Sequence, residues 1–172
     1  MKKIKMITVV LLAMLVVGCS TNLKDGVAFL EEGNYQEAIT CFEEEIAKGK
    51  KLAEAYRGMA ISYFELDEFE SAIEYFDKVL ADEDAEKTAS IYVMKAASHL
   101  QLDQLETALE AYQNALQYEC PDEMKQEILF NEIAIYQQFG DWDTLKEKVA
   151  AYVQSYPDDA RMNKTVEFLE TR

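Results

Sequence analysis

Residues 66–80 read LDEFESAIEYFDKVL, and this stretch decides the fold. Its apolar positions recur at intervals of one and three residues, which places them on one face of an α-helix. They are Phe69, Ala72, Ile73, Phe76, Val79 and Leu80. A lone helix cannot bury such a face, so the stretch predicts a helix that packs against neighbours.

The same pattern occurs three more times, most weakly in the last copy. The copies are Tyr35, Ala38, Ile39, Phe42 and Ile46; Leu105, Ala108, Leu109, Tyr112, Ala115 and Leu116; and Trp142, Leu145, Val149, Tyr152 and Val153. Another amphipathic segment precedes each copy, and turns of a few residues at 33–34, 67–68, 103–104 and 140–141 join the two. Short turns make consecutive helices antiparallel neighbours, so the chain is predicted to be all-α and built from stacked helix pairs.

Three turn residues are predicted to cap the helices that follow them. Asn34, Asp67 and Asp103 are each followed three positions later by a glutamate. That spacing is typical of a side chain that accepts a hydrogen bond from the first turn of a helix.

The second helix pair resembles the tetratricopeptide repeat, a helix-turn-helix unit of about 34 residues. The residues that carry the resemblance are Tyr56, Met59, Ala60, Tyr63, Ala72, Phe76 and Val79. The resemblance implies an α-solenoid of about four repeats near 19–52, 53–86, 89–122 and 126–159, within a domain over 23–159. It also implies small residues where helices pack closely, namely Gly26, Ala38, Ala60, Ala72, Ala96, Ala108 and Ala115.

Departures from the repeat pattern add further expectations. In the fourth repeat Ile133, Leu145 and Tyr152 replace small residues, so we expect its helices to pack more loosely or at a different angle. Gly58 lies in mid-helix, where glycine is unfavourable, and we expect it to admit a neighbouring helix. Residues 160–172 have one apolar stripe and are predicted to form a capping helix at the end of the solenoid.

The N-terminus has the pattern of a secretory signal. Three lysines within residues 2–5 precede an apolar run of twelve residues, 6–17, which is too short to span a bilayer. Residues 16–19, VVGC, resemble the lipobox of bacterial lipoproteins. We therefore predict a signal peptide over 1–18, acylation at Cys19 and a short linker over 19–22.

Composition excludes several classes of partner. The chain has 33 acidic residues against 17 Lys and Arg, a net charge of −16. Nucleic acids and anionic lipid surfaces are bound through clustered basic residues, so neither is an expected partner through charge. With 49% hydrophobic residues and only two prolines, the composition is typical of a folded helical protein.

No catalytic, metal or cofactor site is predicted. The single histidine, His99, lies on a packing face without a nucleophile placed beside it. Residues 82–86, DEDAE, lack the glycine and the distant glutamate of a calcium loop. Cys41 and Cys120 belong to different repeats, and stacking should hold them too far apart for a disulfide.

The resemblance to tetratricopeptide arrays implies a concave groove, lined by the first helix of each repeat, that binds protein segments. The groove residues are Val27, Leu30, Arg57, Ile61, Phe64, Val93, Ala97, Leu100, Phe130, Ala134 and Gln137. The glutamates Glu31, Glu54, Glu65 and Glu127 form its rim. The alternative is that about half of these residues only pack between neighbouring repeats.

The sequence thus favours a lipid-anchored, non-catalytic scaffold that binds another protein or peptide of the bacterial cell envelope. Two alternatives stay open. One is a regulatory or substrate-presenting module in cell-wall, pilus or outer-membrane assembly; the other is a self-assembling spacer. The expected location is extracytoplasmic, and neither the choice of membrane nor the oligomeric state follows from the sequence.

Overall fold

The computed structural model describes residues 23–49 and 51–171, so the predicted signal peptide, Cys19 and the linker over 19–22 lie outside the described residues. Within those ranges the chain forms nine α-helices and a short 3-10 helix, with no strand. The α-helices are α1 Leu23–Glu31, α2 Tyr35–Ala47, α3 Leu52–Glu65, α4 Phe69–Ala81, α5 Ala89–Gln101, α6 Leu105–Ala115, α7 Asp122–Phe139, α8 Trp142–Ser155 and α9 Asn163–Glu170. The predicted all-α class is confirmed.

The helices stack in chain order. Each of the pairs α1/α2, α3/α4, α5/α6 and α7/α8 packs together, and α2 contacts α3 as α4 contacts α5. The first helices of successive repeats also meet, since α1 contacts α3 and α3 contacts α5. This is the layered packing of an α-solenoid. Among the described helices, none is both long enough and apolar enough to cross a membrane.

Small residues bring the helix backbones together. All seven predicted close-packing residues are buried, and the six alanines among them have no exposed surface. Large side chains such as Phe42, Met59 and Phe76, which are also fully buried, fill the spaces between the helices. Alternating small and large side chains let adjacent helices interdigitate at the density of a protein interior.

The predicted helix caps are wrong at three of the turns. Asn34 does occupy the position before α2, but its side chain makes no capping bond, and the residues before α4 and α6 are Glu68 and Gln104 rather than the aspartates. Asp67 and Asp103 instead have φ values of 59° and 57°, in the left-handed region.

These aspartates end the preceding helix. The backbone N–H of Glu68 donates to the carbonyl of Tyr63 at 2.9 Å, and that of Gln104 donates to His99 at 2.9 Å. This is the Schellman arrangement, in which a left-handed residue closes a helix. Gly33 has the same role after α1, with φ of 78°.

The two helices of the fourth repeat have less backbone proximity than those of the earlier repeats, which agrees with the expectation of looser packing or a different angle. Its large core residues Ile133, Leu145 and Tyr152 are each at most 2% exposed. Nevertheless, α7 and α8 contact each other through fewer residues than the helices of any earlier pair. The larger side chains between the two helices thus reduce backbone proximity without opening the core.

The C-terminal segment covers the last repeat. A 3-10 helix, Ala160–Met162, leads into α9, so the regular α-helix begins at Asn163. Met162 is buried, and Val166 and Leu169 pack against the apolar cluster of α7 and α8. The ring of Phe168 lies 5.5 Å from that of Trp142.

Candidate partner-binding groove

The eleven predicted groove residues all retain solvent contact. Val27, Arg57 and Gln137 are exposed, and the other eight are half-buried. Residues on other faces of the same helices are buried, including Gly26 on α1 and Ala60 on α3. One side of the first-helix layer is therefore accessible while its remaining sides form the core.

Several groove residues also contribute to packing. Leu30, Phe64, Val93, Leu100 and Phe130 each lie partly against a core cluster. The ring of Phe64, for example, meets that of Phe69 edge-on at 5.8 Å. These side chains present one edge to the solvent and use the other to hold helices together, so the surface they form is rigid.

The groove is most continuous over the first three repeats. Contact between first helices is broadest for α1 with α3, smaller for α3 with α5, and smaller again for α5 with α7. The long helix α7 instead packs onto α6 and onto α8. Arg57, Ile61 and Phe64 on α3 thus lie at the centre of the continuous part.

Phe130, the largest predicted groove residue of the fourth repeat, is covered from within the chain. The guanidinium carbon of Arg161 lies 4.2 Å from the centre of its ring. The Tyr152 ring approaches it at 6.5 Å. Stacking of a guanidinium on an aromatic face is attractive, so the turn before α9 closes this end of the groove.

A hydrogen-bonded network holds Arg161 in place. Its guanidinium donates to Asp159 at 2.7 Å and to Glu127 at 2.7 Å. The Asp159 side chain is 7% exposed and also accepts from Tyr152 and Gln126. Together the Arg161 guanidinium and the Tyr152 hydroxyl hold the pKa of Asp159 well below its usual range.

Acidic side chains dominate the charged surroundings of the groove. A cavity of about 480 Å³ opens where α3 begins; it is lined in part by Lys51, Glu54, Arg57, Asp82, Asp84 and Glu86. At the other end of α3, Glu65 accepts a hydrogen bond from the Tyr35 hydroxyl at 3.1 Å, which raises the pKa of that tyrosine. A ligand with basic groups therefore meets complementary charge at both ends of α3.

Models of the tetratricopeptide repeat match residues 23–89 and 89–119, which together make up more than half of the 172-residue chain. The chain belongs to the tetratricopeptide repeat family. Its array is a protein-interaction scaffold by fold, and protein or peptide segments are the partners that such arrays take.

Two solved structures share this fold. YrrB, described as a tetratricopeptide protein with an unusual peptide-binding site, has a TM-score of 0.69 at 19% identity over 81% of this chain and 69% of its own. A MamA fragment from Desulfovibrio magneticus RS-1 has a TM-score of 0.60 at 20% identity over 80% of this chain and 76% of its own. At these identities the likeness concerns the fold alone. The sequence has no significant match among curated proteins.

The titratable residues singled out in the sequence pack within the tetratricopeptide array. His99 is 8% exposed, and its Nδ1 lies 2.7 Å from the Gln104 side-chain oxygen. Cys41 is 2% exposed and forms no disulfide with Cys120. Across the described ranges, no group of three or more His, Cys, Asp and Glu side chains is placed to hold a metal ion.

Glu132 is a buried charge that sequence reasoning missed. It has no exposed surface, and one carboxylate oxygen accepts from Lys148 at 2.9 Å while the other has no hydrogen-bond partner among the described residues. Ile128 and Ile135 on the same helix pack into the third repeat. Residues 128, 132 and 135 share one helix face by their spacing. A glutamate between two isoleucines on that face was the signal in the sequence that could have indicated a buried charge.

Proposed function

We propose that this chain is a lipid-anchored, non-catalytic scaffold of a bacterial cell envelope, and that it binds a segment of another envelope protein in the groove. The observation that carries the proposal is the accessibility of the groove residues on α3 and α5, two helices whose other faces are buried. An accessible row of apolar side chains on a rigid support is the usual form of a protein-interaction site.

The partner segment is amphipathic, with apolar and basic side chains. Ile61, Phe64 and Val93 provide an apolar floor across α3 and α5. Glu54 and Glu65 stand near the two ends of α3, and the whole chain carries a net charge of −16. The description of YrrB as having a peptide-binding site supports a peptide-like ligand for this fold.

The anchor is proposed from sequence. Acyl chains on Cys19 hold the protein at the membrane, because two or more chains bind durably where one binds only marginally. Growth with labelled palmitate should label the wild-type protein and leave the Cys19→Ser variant unlabelled. An unlabelled wild type, or equal membrane retention of the two proteins, overturns the anchor and leaves the groove proposal standing.

Crosslinking tests the groove. A photoreactive residue at Arg57, which is exposed in the groove, should capture one dominant envelope protein in cells. The same residue at Gln113, which is exposed on α6, should not capture it. Equal capture from both positions places the binding site elsewhere, and capture of a second copy of this chain alone identifies a self-assembling spacer.

A further inference from the structure

The outer side of α1 is an uncovered apolar surface at the N-terminal end of the solenoid. Leu23, Lys24, Val27, Ala28 and Glu31 line a shallow concavity of about 220 Å³ on this side. Val27 is 41% exposed, and within the described ranges only Phe139, at 39%, is a comparably exposed large apolar residue. The opposite side of α1 is buried through Gly26, which faces Phe42.

Chain length limits what can cover this surface. Only residues 20–22 separate Cys19 from Leu23, the first residue of α1. A fully extended chain spans about 3.5 Å per residue, so Leu23 lies within roughly 14 Å of an acylated Cys19. Val27 follows one helical turn later, about 6 Å along the axis.

We infer that the first two turns of α1 lie in the membrane interface, with Val27, the exposed large apolar residue of this side, facing the acyl chains. This inference rests on the proposed acylation of Cys19. Helices at an interface place their apolar face about 5–10 Å into the boundary between headgroups and acyl chains. The solenoid then stands on its N-terminal end, and the groove over α3 and α5 stays outside the interface and accessible to a partner.

The charges along α1 agree with this orientation. Lys24 lies in the first turn, where a basic group meets lipid phosphates. The acidic surface of the later repeats is repelled by anionic lipids, which favours an upright solenoid over one lying flat.

A depth measurement on the mature lipidated protein tests the inference. Val27→Cys and Phe139→Cys are matched positions, because both side chains are about 40% exposed and they lie on the first and the fourth repeat. Each is labelled with a fluorophore in a Cys120→Ser background; Cys41 is 2% exposed and protected, and the Cys19 thiol is acylated. The protein is reconstituted into phosphatidylethanolamine–phosphatidylglycerol vesicles that contain a nitroxide-labelled lipid.

The expected result is at least threefold stronger nitroxide quenching at position 27 than at position 139. Flotation with the vesicles is scored on the same samples. Full flotation with equal quenching at the two positions overturns the inference and leaves the lipid anchor intact. Failure to float overturns the anchor and, with it, this inference. Circular dichroism of both labelled variants checks that the helices are retained.

Discussion

Gly58 and Phe42 are in such close contact that a β-carbon added at Gly58 would lie 2.3 Å from Cζ of the phenylalanine ring. A β-carbon at Gly26 would lie 2.7 Å from the same ring. One buried side chain of α2 is thus held between glycines of α1 and α3. The contact explains a mid-helix glycine that helix propensity alone disfavours, and it joins the first repeat to the second.

Gly58→Ala should destabilise the protein by about 1–3 kcal/mol, the usual result of overpacking a core. Alanine favours a helix by about 1 kcal/mol over glycine, but that gain cannot offset a clash with a ring confined on both sides. Urea unfolding followed by circular dichroism measures the difference in the free energy of unfolding.

The matched control relieves the clash. In a Phe42→Leu background, Gly58→Ala should cost less than half as much as in the wild type, because a smaller side chain leaves room for the methyl group. An equal cost in both backgrounds would contradict the assigned contact.

Acid should weaken the turn that covers Phe130. The Arg161 guanidinium and the Tyr152 hydroxyl lower the pKa of Asp159, so its carboxylate stabilises the fold above the unfolded-state pKa of about 4. That contribution is lost as the pH falls from 4 toward the lower folded-state pKa. The gap in melting temperature between wild type and Asp159→Asn should therefore shrink between pH 5 and pH 2.

Asp158 provides a matched control for the substitution. Its side chain is exposed next to Asp159 in the chain. Because Asp158→Asn changes an exposed carboxylate outside the network, it should leave the melting temperature close to that of the wild type at neutral pH. A gap for Asp159→Asn that stays constant with pH would contradict the network.

Alkaline pH should destabilise the fold through the ionisation of Tyr112. Burial, reinforced by the charge of Glu127, raises the pKa of this phenol from 10.0 to about 12. Folding therefore favours the neutral phenol, and this stabilisation is complete below pH 10 and is lost between about pH 10 and 12. Between pH 10 and 12, the free energy of unfolding should fall by about 2–3 kcal/mol more in the wild type than in the Tyr112→Phe variant.

Absorbance titration at alkaline pH checks the assignment directly. Tyr92, hydrogen-bonded to Tyr118, also has a pKa raised to about 12. Tyr112→Phe should remove one of the two latest-titrating tyrosines and leave the other. Loss of an early-titrating tyrosine instead would show that Tyr112 is accessible.

The buried ion pair of the fourth repeat should behave asymmetrically. Lys148→Met leaves the fully buried Glu132 carboxylate without its cation and should lower the free energy of unfolding by about 2–4 kcal/mol. This loss is near the lower end for buried ion pairs, because the Lys148 side chain is 34% exposed. Replacing both partners, as Glu132→Leu with Lys148→Met, should recover most of that loss. A double variant less stable than Lys148→Met alone would contradict the account.

The fold was predictable because its signal is repeated. Apolar spacing and small residues such as Ala38 and Ala72 recur in register, and each buried alanine fixes a close approach of two helices. The caps were not predictable from the same pattern. An aspartate followed three residues later by a glutamate can either cap the helix that follows or end the helix that precedes it. Asp67 ends the preceding helix instead of capping the next one. It adopts the left-handed conformation that Gly33 has in the turn between α1 and α2.

The site was predictable only as far as helix periodicity reaches. Periodicity identifies which side of each first helix is accessible, as at Ile61 and Ala97. It carries no information on contacts between distant segments, and therefore missed the stacking of Arg161 on Phe130. Such contacts depend on the geometry of one turn, which no repeated pattern encodes.

The central claim is that a partner segment binds across α3 and α5. The most direct test is the dissociation constant of the segment captured from Arg57, measured by calorimetry with wild type, Ile61→Glu and the control Gln113→Glu. Ile61→Glu places a charge on the apolar floor and should weaken binding at least tenfold, while Gln113→Glu should leave it unchanged. An unchanged dissociation constant for a fully helical Ile61→Glu variant would contradict the claim.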